Sequence, residues 1–272
     1  MPTTEALTGG FSDAPVQAAR AFRAALEVMA RPGHIAPVTG AQAPGLSGAA
    51  SVLLLTLCDR ETPLHLAPGS DSAALRDWVA FHLGAPLVPA EEAMFALGSW
   101  AALAPLERFR IGTAEYPDRA VTLIVEMDRL APDGARLTGP GIATQARLSL
   151  PEIVAFQRNN ALFPLGWDVF FTCGDDIAAL PRSHPVREAD IAGIDPGGEA
   201  IGGVIGQRYR FVGGGEGRAG QHRAKDLFLC DARGIRHVGK DRRADEQALG
   251  IVAAGIGHAA RHQFGLGLAD LD

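Results

Sequence analysis

Lysine is missing from residues 1–183, and the chain's only two are Lys225 and Lys240. A pyridoxal phosphate enzyme needs a lysine amine for its internal aldimine, so that body has none to offer. The phosphate loop GxxxxGK[ST] falls with it, because its lysine reaches the terminal phosphates. The glycine run GGGEG at 213–217 lacks both that lysine and a strand–turn–helix setting, and reads as a flexible loop. Cysteine is scarce: Cys58, Cys173 and Cys230 make an odd count with no CxxC pair, which suits reduced thiols in a cytoplasmic protein. No apolar run approaches the ~20 residues of a bilayer span. The N-terminus MPTTEALTGG has neither the basic nor the apolar region of an export signal. His34, His65 and His82 stand far apart, without HxH, HExxH or cysteine-ligand spacing, so no metal site is expected. A GxSxG elbow is also absent. Basic charge is not in excess: 25 Lys and Arg against 31 Asp and Glu leave −6, which speaks against nucleic acid or an anionic membrane as the main partner.

What is present suits a globular protein: 47% hydrophobic and 21% charged over 272 residues. The stretch FPLGWDVFFTCGDDIAALPR at 163–182 is its centre. Residues 168–172 are rich in β-branched and aromatic side chains and read as a buried strand, with a turn at 173–176 and a second extended piece at 177–180. Upstream, 13–30 reads as a helix, capped by Asp13 with Pro15 in its first turn. Its apolar arc is Val16, Ala19, Phe22, Leu26, Met29 and Ala30, opposite Arg20, Glu27 and Arg31. A short strand is expected near 34–38, a buried strand at 51–57, and a hairpin-like bend through 59–62 into 63–66. Ser70 or Ser72 caps a helix to about 81–83. Short strands at 85–88 and 93–97, a helix at 100–109 and a strong strand at 120–127 follow. Residues 136–142 read as a strand breaking into a glycine turn. Ser149-Leu-Pro-Glu152 matches a capping box that opens a helix to about 160. Alternating helices and apolar strands predict a three-layer α/β sandwich with a mixed sheet over residues 1–183.

The composition changes at Ser183. Residues 184–272 hold 18 of the 33 glycines, 5 of the 8 histidines and 2 of the 18 prolines. Strand-like pieces at 209–212 and 226–230 and a glycine-interrupted helix at 244–263, carrying His258 and His262, make no convincing core. This last third reads as a poorly packed extension rather than a second domain, with the Gly/Arg/Ala/His-rich text that a GC-rich gene yields out of frame.

Single residues of the body carry double readings. Arg23 snorkels at the edge of its helix or binds an anion. The turn of Thr138-Gly139-Pro140-Gly141 is plain turn geometry, or it offers N–H groups to an oxyanion or phosphate. Arg182 makes a surface salt bridge or grips phosphate or carboxylate with its planar fork. His82 reads as a core histidine with one hydrogen-bond partner, and Cys173 as a small buried hydrophobe. Arg23, Thr138, Gly139 and Arg182 are therefore the candidate anion ligands, with no catalytic constellation, cofactor or metal ligand among them.

An ordered set of motifs spans about 11–182: FRxxLxxMxxPG from Phe22 to Gly33, SVLLLTL at 51–57 with Thr62-Pro63, FHxxAPLV at 81–88, Gly112-Thr113, LTGPGI at 137–142, FPLGxD at 163–168, Thr172-Cys173-Gly174 and Pro181-Arg182. It resembles the H-subunit (PhnH) family of carbon–phosphorus lyase. The resemblance implies a fold like the large domain of type I pyridoxal phosphate-dependent transferases without the cofactor. It further implies a cytoplasmic homodimer that joins the G, I and J subunits in phosphonate catabolism. There it supports formation of α-D-ribose 1-methylphosphonate 5-triphosphate from ATP and methylphosphonate, in a structural role with no active site of its own. The rival expectation is a free-standing enzyme or binding protein for a small phosphorylated or phosphonate anion.

Overall fold

The structure, a computed structural model, describes residues 7–189. The strand-like pieces at 209–212 and 226–230, the helix at 244–263 and the glycine run at 213–217 lie outside the described residues. At the centre is β7 (Asp168–Cys173), whose four interior residues are all buried. Gly174 and Asp175 turn the chain into β8 (Asp176–Leu180), which pairs antiparallel with β7. On its other side β7 runs parallel to β4 (Thr122–Glu126), β4 to β3 (Phe95–Ser99), and β3 to β2 (Leu64–Leu66). The two-residue β1 (Ala36–Pro37) closes the other edge antiparallel to β8, giving the order β1-β8-β7-β4-β3-β2. The protein is α/β with a mixed six-stranded sheet.

Alternation along the strands sends side chains to two cores. Register places Leu97, Ile124, Phe170 and Ala179 in one cross-strand row. That row packs with α1 (Ala14–Ala30), α2 (Gly48–Leu57) and α3 (Ala73–His82). Leu123, Val125, Val169, Phe171, Ala178 and Leu180 face the opposite way. They meet α4 (Trp100–Leu103), Phe156 and residues of a small antiparallel sheet. The small sheet has the order β6 (Ala146–Leu148), β5 (Ala135–Leu137), β9 (Val186–Arg187), and Phe156 lies on α5 (Ile153–Ala161). Helices cover one face of the large sheet, and helices with the small sheet cover the other.

Several expectations fail for physical reasons. Residues 51–57 are not a strand but the body of α2, whose ten residues are all buried. A helix surrounded by protein needs no polar face, so the 3.6-residue signature vanishes and only an apolar run remains. Its start is set by Ser47, whose side chain accepts from the Ala50 N–H. The chain does bend sharply at 59–62 into β2, but no hairpin forms there, because β2 pairs parallel with β3. Residues 85–88 contribute one isolated bridge, Leu64 to Leu87, rather than a strand. The helix at 100–109 breaks at Pro105 into α4 and a 3₁₀ turn at Leu106–Arg108. Ser149 forms no capping box: its hydroxyl accepts from the Ala131 N–H, and Glu152 accepts from the Trp100 indole instead. Asp13 sits at the start of α1 without a side-chain cap bond. The buried stripe of α1 is Ala18, Ala21, Ala25, Val28 and Met29, while Val16 is 44% exposed. Small side chains let α1 pack closely beside Val28 and Met29, while Phe22 and Leu26 lie at the margin.

Candidate functional site

Asp168 opens β7, and Arg182 follows the end of β8 across the pair. Asp168 Oδ1 accepts from the Arg182 backbone N–H at 2.9 Å and from Nε at 3.1 Å, and Oδ2 accepts from Nη2 at 2.5 Å. Nη1 donates to the Pro117 carbonyl at 2.7 Å, and the Asn160 amide donates to the Arg182 carbonyl. Arg182 is only 6% exposed. The pair is buried rather than on the surface, and the planar fork grips a carboxylate of the protein's own. Beside it, Asn159 closes the 159–167 loop with both amide atoms, accepting from the Trp167 N–H and donating to the Trp167 carbonyl. Most of the FPLGxD…PR signature is thus a staple between the start of β7, the end of α5 and the turn at Pro117.

Thr138 and Gly139 extend β5 into their turn, which the 183–187 segment holds down. The Thr138 N–H donates to the Pro185 carbonyl. Gly139 has φ +133°, and a Cβ there would stand 2.8 Å from the His184 ring. Gly141, at φ +78°, would place a Cβ 1.8 Å from the Ala30 carbonyl. Both positions demand glycine, for backbone conformation and for space alike. His184 is buried; its Nε2 lies 2.7 Å from the Pro140 carbonyl and its Nδ1 3.1 Å from the Ser183 hydroxyl. A carbonyl only accepts, so the proton is on Nε2 and Nδ1 accepts from Ser183. Burial holds the imidazole below its ordinary value, against the opposing pull of the Pro140 bond and of Asp168.

Thr138 also lines a cavity of about 410 Å³ with Arg136, Thr144, Gln145 and Arg187. The structure therefore separates the four expected anion ligands. Thr138 faces this cavity, Gly139 packs on His184, Arg182 is engaged by Asp168, and Arg23 is exposed on α1. The arginines around the cavity were missed in the sequence. A signal was there for Arg136: Ala-Arg-Leu occurs at 135–137 and again at 146–148, an apolar–Arg–apolar alternation with the period of a strand.

His82 is half-buried between Trp78 and Phe81, and its Nε2 bonds the Thr8 carbonyl. Cys58 is buried, which pushes its thiol well up. Cys173 is half-buried. Among the described residues no three His, Cys, Asp or Glu side chains gather at metal-binding distance, and no helix is long and apolar enough to cross a membrane.

A curated relative in Rhizobium meliloti (strain 1021), the "Alpha-D-ribose 1-methylphosphonate 5-triphosphate synthase subunit PhnH", is 36% identical over 187 residues, covering 65% of this chain and 93% of the relative. The "Putative C-P lyase subunit protein HtxG" of Stutzerimonas stutzeri is 31% identical over 202 residues, covering 65% of this chain and 95% of its own. The family described as "Bacterial phosphonate metabolism protein (PhnH)" matches residues 9–187, from the segment before α1 to the last residue of β9. The chain is a member of the PhnH family of bacterial phosphonate metabolism proteins.

Proposed function

We propose that this chain is the H-type subunit of an α-D-ribose 1-methylphosphonate 5-triphosphate synthase, within a carbon–phosphorus lyase assembly. The observation that carries this is the 36% identity running over 93% of a relative that bears that name. In this reading the chain is a cytoplasmic homodimer that meets G, I and J subunits. It supports formation of the triphosphate product from ATP and methylphosphonate without an active site of its own. The internal use of Asp168, Asn159 and Arg182 supports a structural role, because these side chains are consumed in holding the body together. A mixed sheet covered on both faces supports a likeness to the large domain of pyridoxal phosphate-dependent transferases, here without the lysine such a cofactor needs. The family domain, expected at 1–183, extends in this reading through β9 to residue 187, and the remainder is an extension.

Affinity purification of the tagged chain from cells grown on methylphosphonate tests the proposal. The other subunits are expected to co-purify, and the isolated chain is expected to leave ATP and methylphosphonate unconverted. Turnover by the chain alone, or recovery without those subunits, would sink it. Light scattering checks the dimer. A second reading, a site for a small anion, is favoured by the cavity that Thr138 shares with Arg136 and Arg187.

A further inference from the structure

Three arginines stand side by side across the small sheet. Arg147 on β6 is the register partner of Arg136 on β5, and Arg136 is the partner of Arg187 on β9. Paired residues of adjacent strands project from the same face. Ala135, Leu137, Leu148 and Val186 are buried, so the arginines take the outer face. Like charges placed directly opposite one another weaken a sheet. Here like charges face one another on consecutive strands. Arg136 makes a contact of its own. Arg147 and Arg187 are exposed and have no ion-pair partner among the described residues.

The row borders a hollow rather than a flat surface. The cavity of about 410 Å³ is lined by Arg136, Arg187, Thr138, Thr144 and Gln145, and no carboxylate is among them. Its volume is that of a small-molecule site. The exposed Arg187 guanidinium, two hydroxyls and an amide give this lining hydrogen-bond donors beside Arg136. Strands lie ~4.8 Å apart, so three in a row spread positive charge over roughly 10 Å. One phosphate is shorter than that span, whereas a line of two or three phosphates matches it.

We infer that the outer face of the small sheet binds an oligophosphate group, with Arg136, Arg147 and Arg187 along the phosphate chain and Thr138, Thr144 and Gln145 at its end. The inference deepens the small-anion reading and rests on it. It is independent of which subunits the chain joins.

The test is calorimetric titration of the full-length chain at about 0.15 M salt, where exposed charges more than ~8 Å apart are largely screened. Inorganic tripolyphosphate, orthophosphate and methylphosphonate serve as probes. Tripolyphosphate is expected to saturate one site, at least tenfold tighter than the other two. Arg147→Ala and Arg187→Ala should each weaken it at least tenfold, while Arg20→Ala, on exposed α1 surface, changes nothing. Melting temperatures of the two row variants without ligand should not fall below wild type, since each substitution relieves repulsion. Tripolyphosphate should raise the wild-type value and leave theirs unmoved. Equal affinity for all three probes overturns the oligophosphate assignment and leaves an anion site standing. No saturable binding overturns both, as does equal loss in Arg20→Ala, which marks general charge attraction. Loss of co-purifying subunits in the row variants, with no tripolyphosphate binding in wild type, gives the row to an acidic protein surface instead.

Discussion

Arg182 shows how a residue that looks poised for a ligand can be spent on the fold. Its guanidinium, backbone N–H and carbonyl are all engaged within the protein, and the pair it makes with Asp168 is largely out of water. Removing one partner strands the other charge, which costs about 3–5 kcal/mol in a buried pair. Arg182→Met should therefore lower the urea midpoint strongly. Arg182→Lys should recover little, because an ammonium cannot reproduce the two-pronged contact. If Arg182→Met unfolds like wild type, the staple is not a source of stability. His184 gives a second prediction. Its imidazole is held below the ordinary value near 6.5, so the unfolded chain takes up its proton first as pH falls. Stability from this residue is complete above about 6.5 and is lost through the window down to the lowered folded value. Urea midpoints at pH 7.5 and 5.5 should differ more for wild type than for His184→Asn, and equal differences would contradict this. The residue scale was only half legible in sequence. Arginine and glycine positions stood out, but their partners lie far along the chain: Pro117 is 65 positions from Arg182, and Ala30 is farther still from Gly141.

Helices α1 and α2 misled in opposite ways. In α1 the large apolar residues drew attention, yet the stripe that packs inward is chiefly alanine, with Val28 and Met29. Ala25, with no exposed surface, should resist enlargement: Ala25→Leu is expected to cost about 1–3 kcal/mol by overpacking. Val16→Ala, at an exposed site, should stay within about 0.5 kcal/mol. Denaturant unfolding of the two variants distinguishes this stripe from the larger-residue arc. The strands β4, β7 and β8 and the serine-capped helix α3 were legible, because each strand is a short apolar run bounded by turn residues and the helix carries its cap. The strand–helix ambiguity at α2 was not resolvable locally, since burial on every side erases the cue that separates the two.

At the scale of the molecule, β9 matters beyond its two residues. Its Val186 is buried in the core under the small sheet, His184 just before it fills the space over Gly139, and the Gln157 amide donates to the Val186 carbonyl. A chain ending at Ala189 should thus melt several degrees higher than one ending at Ser183, which loses the third strand and the histidine. Calorimetric melting of the two truncations checks it; coincident curves would show that β9 is dispensable.

The rims of the large sheet carry a last consequence. At one, Pro37 has no N–H to give, and the strand holding it is two residues long. At the other, Leu64 exchanges backbone bonds with Pro86 and Val88, so that border is already occupied. Neither margin leaves a long open ladder for a foreign strand to extend. A partner that meets the large sheet must therefore read side chains, on helix flanks and loops, rather than borrow its backbone.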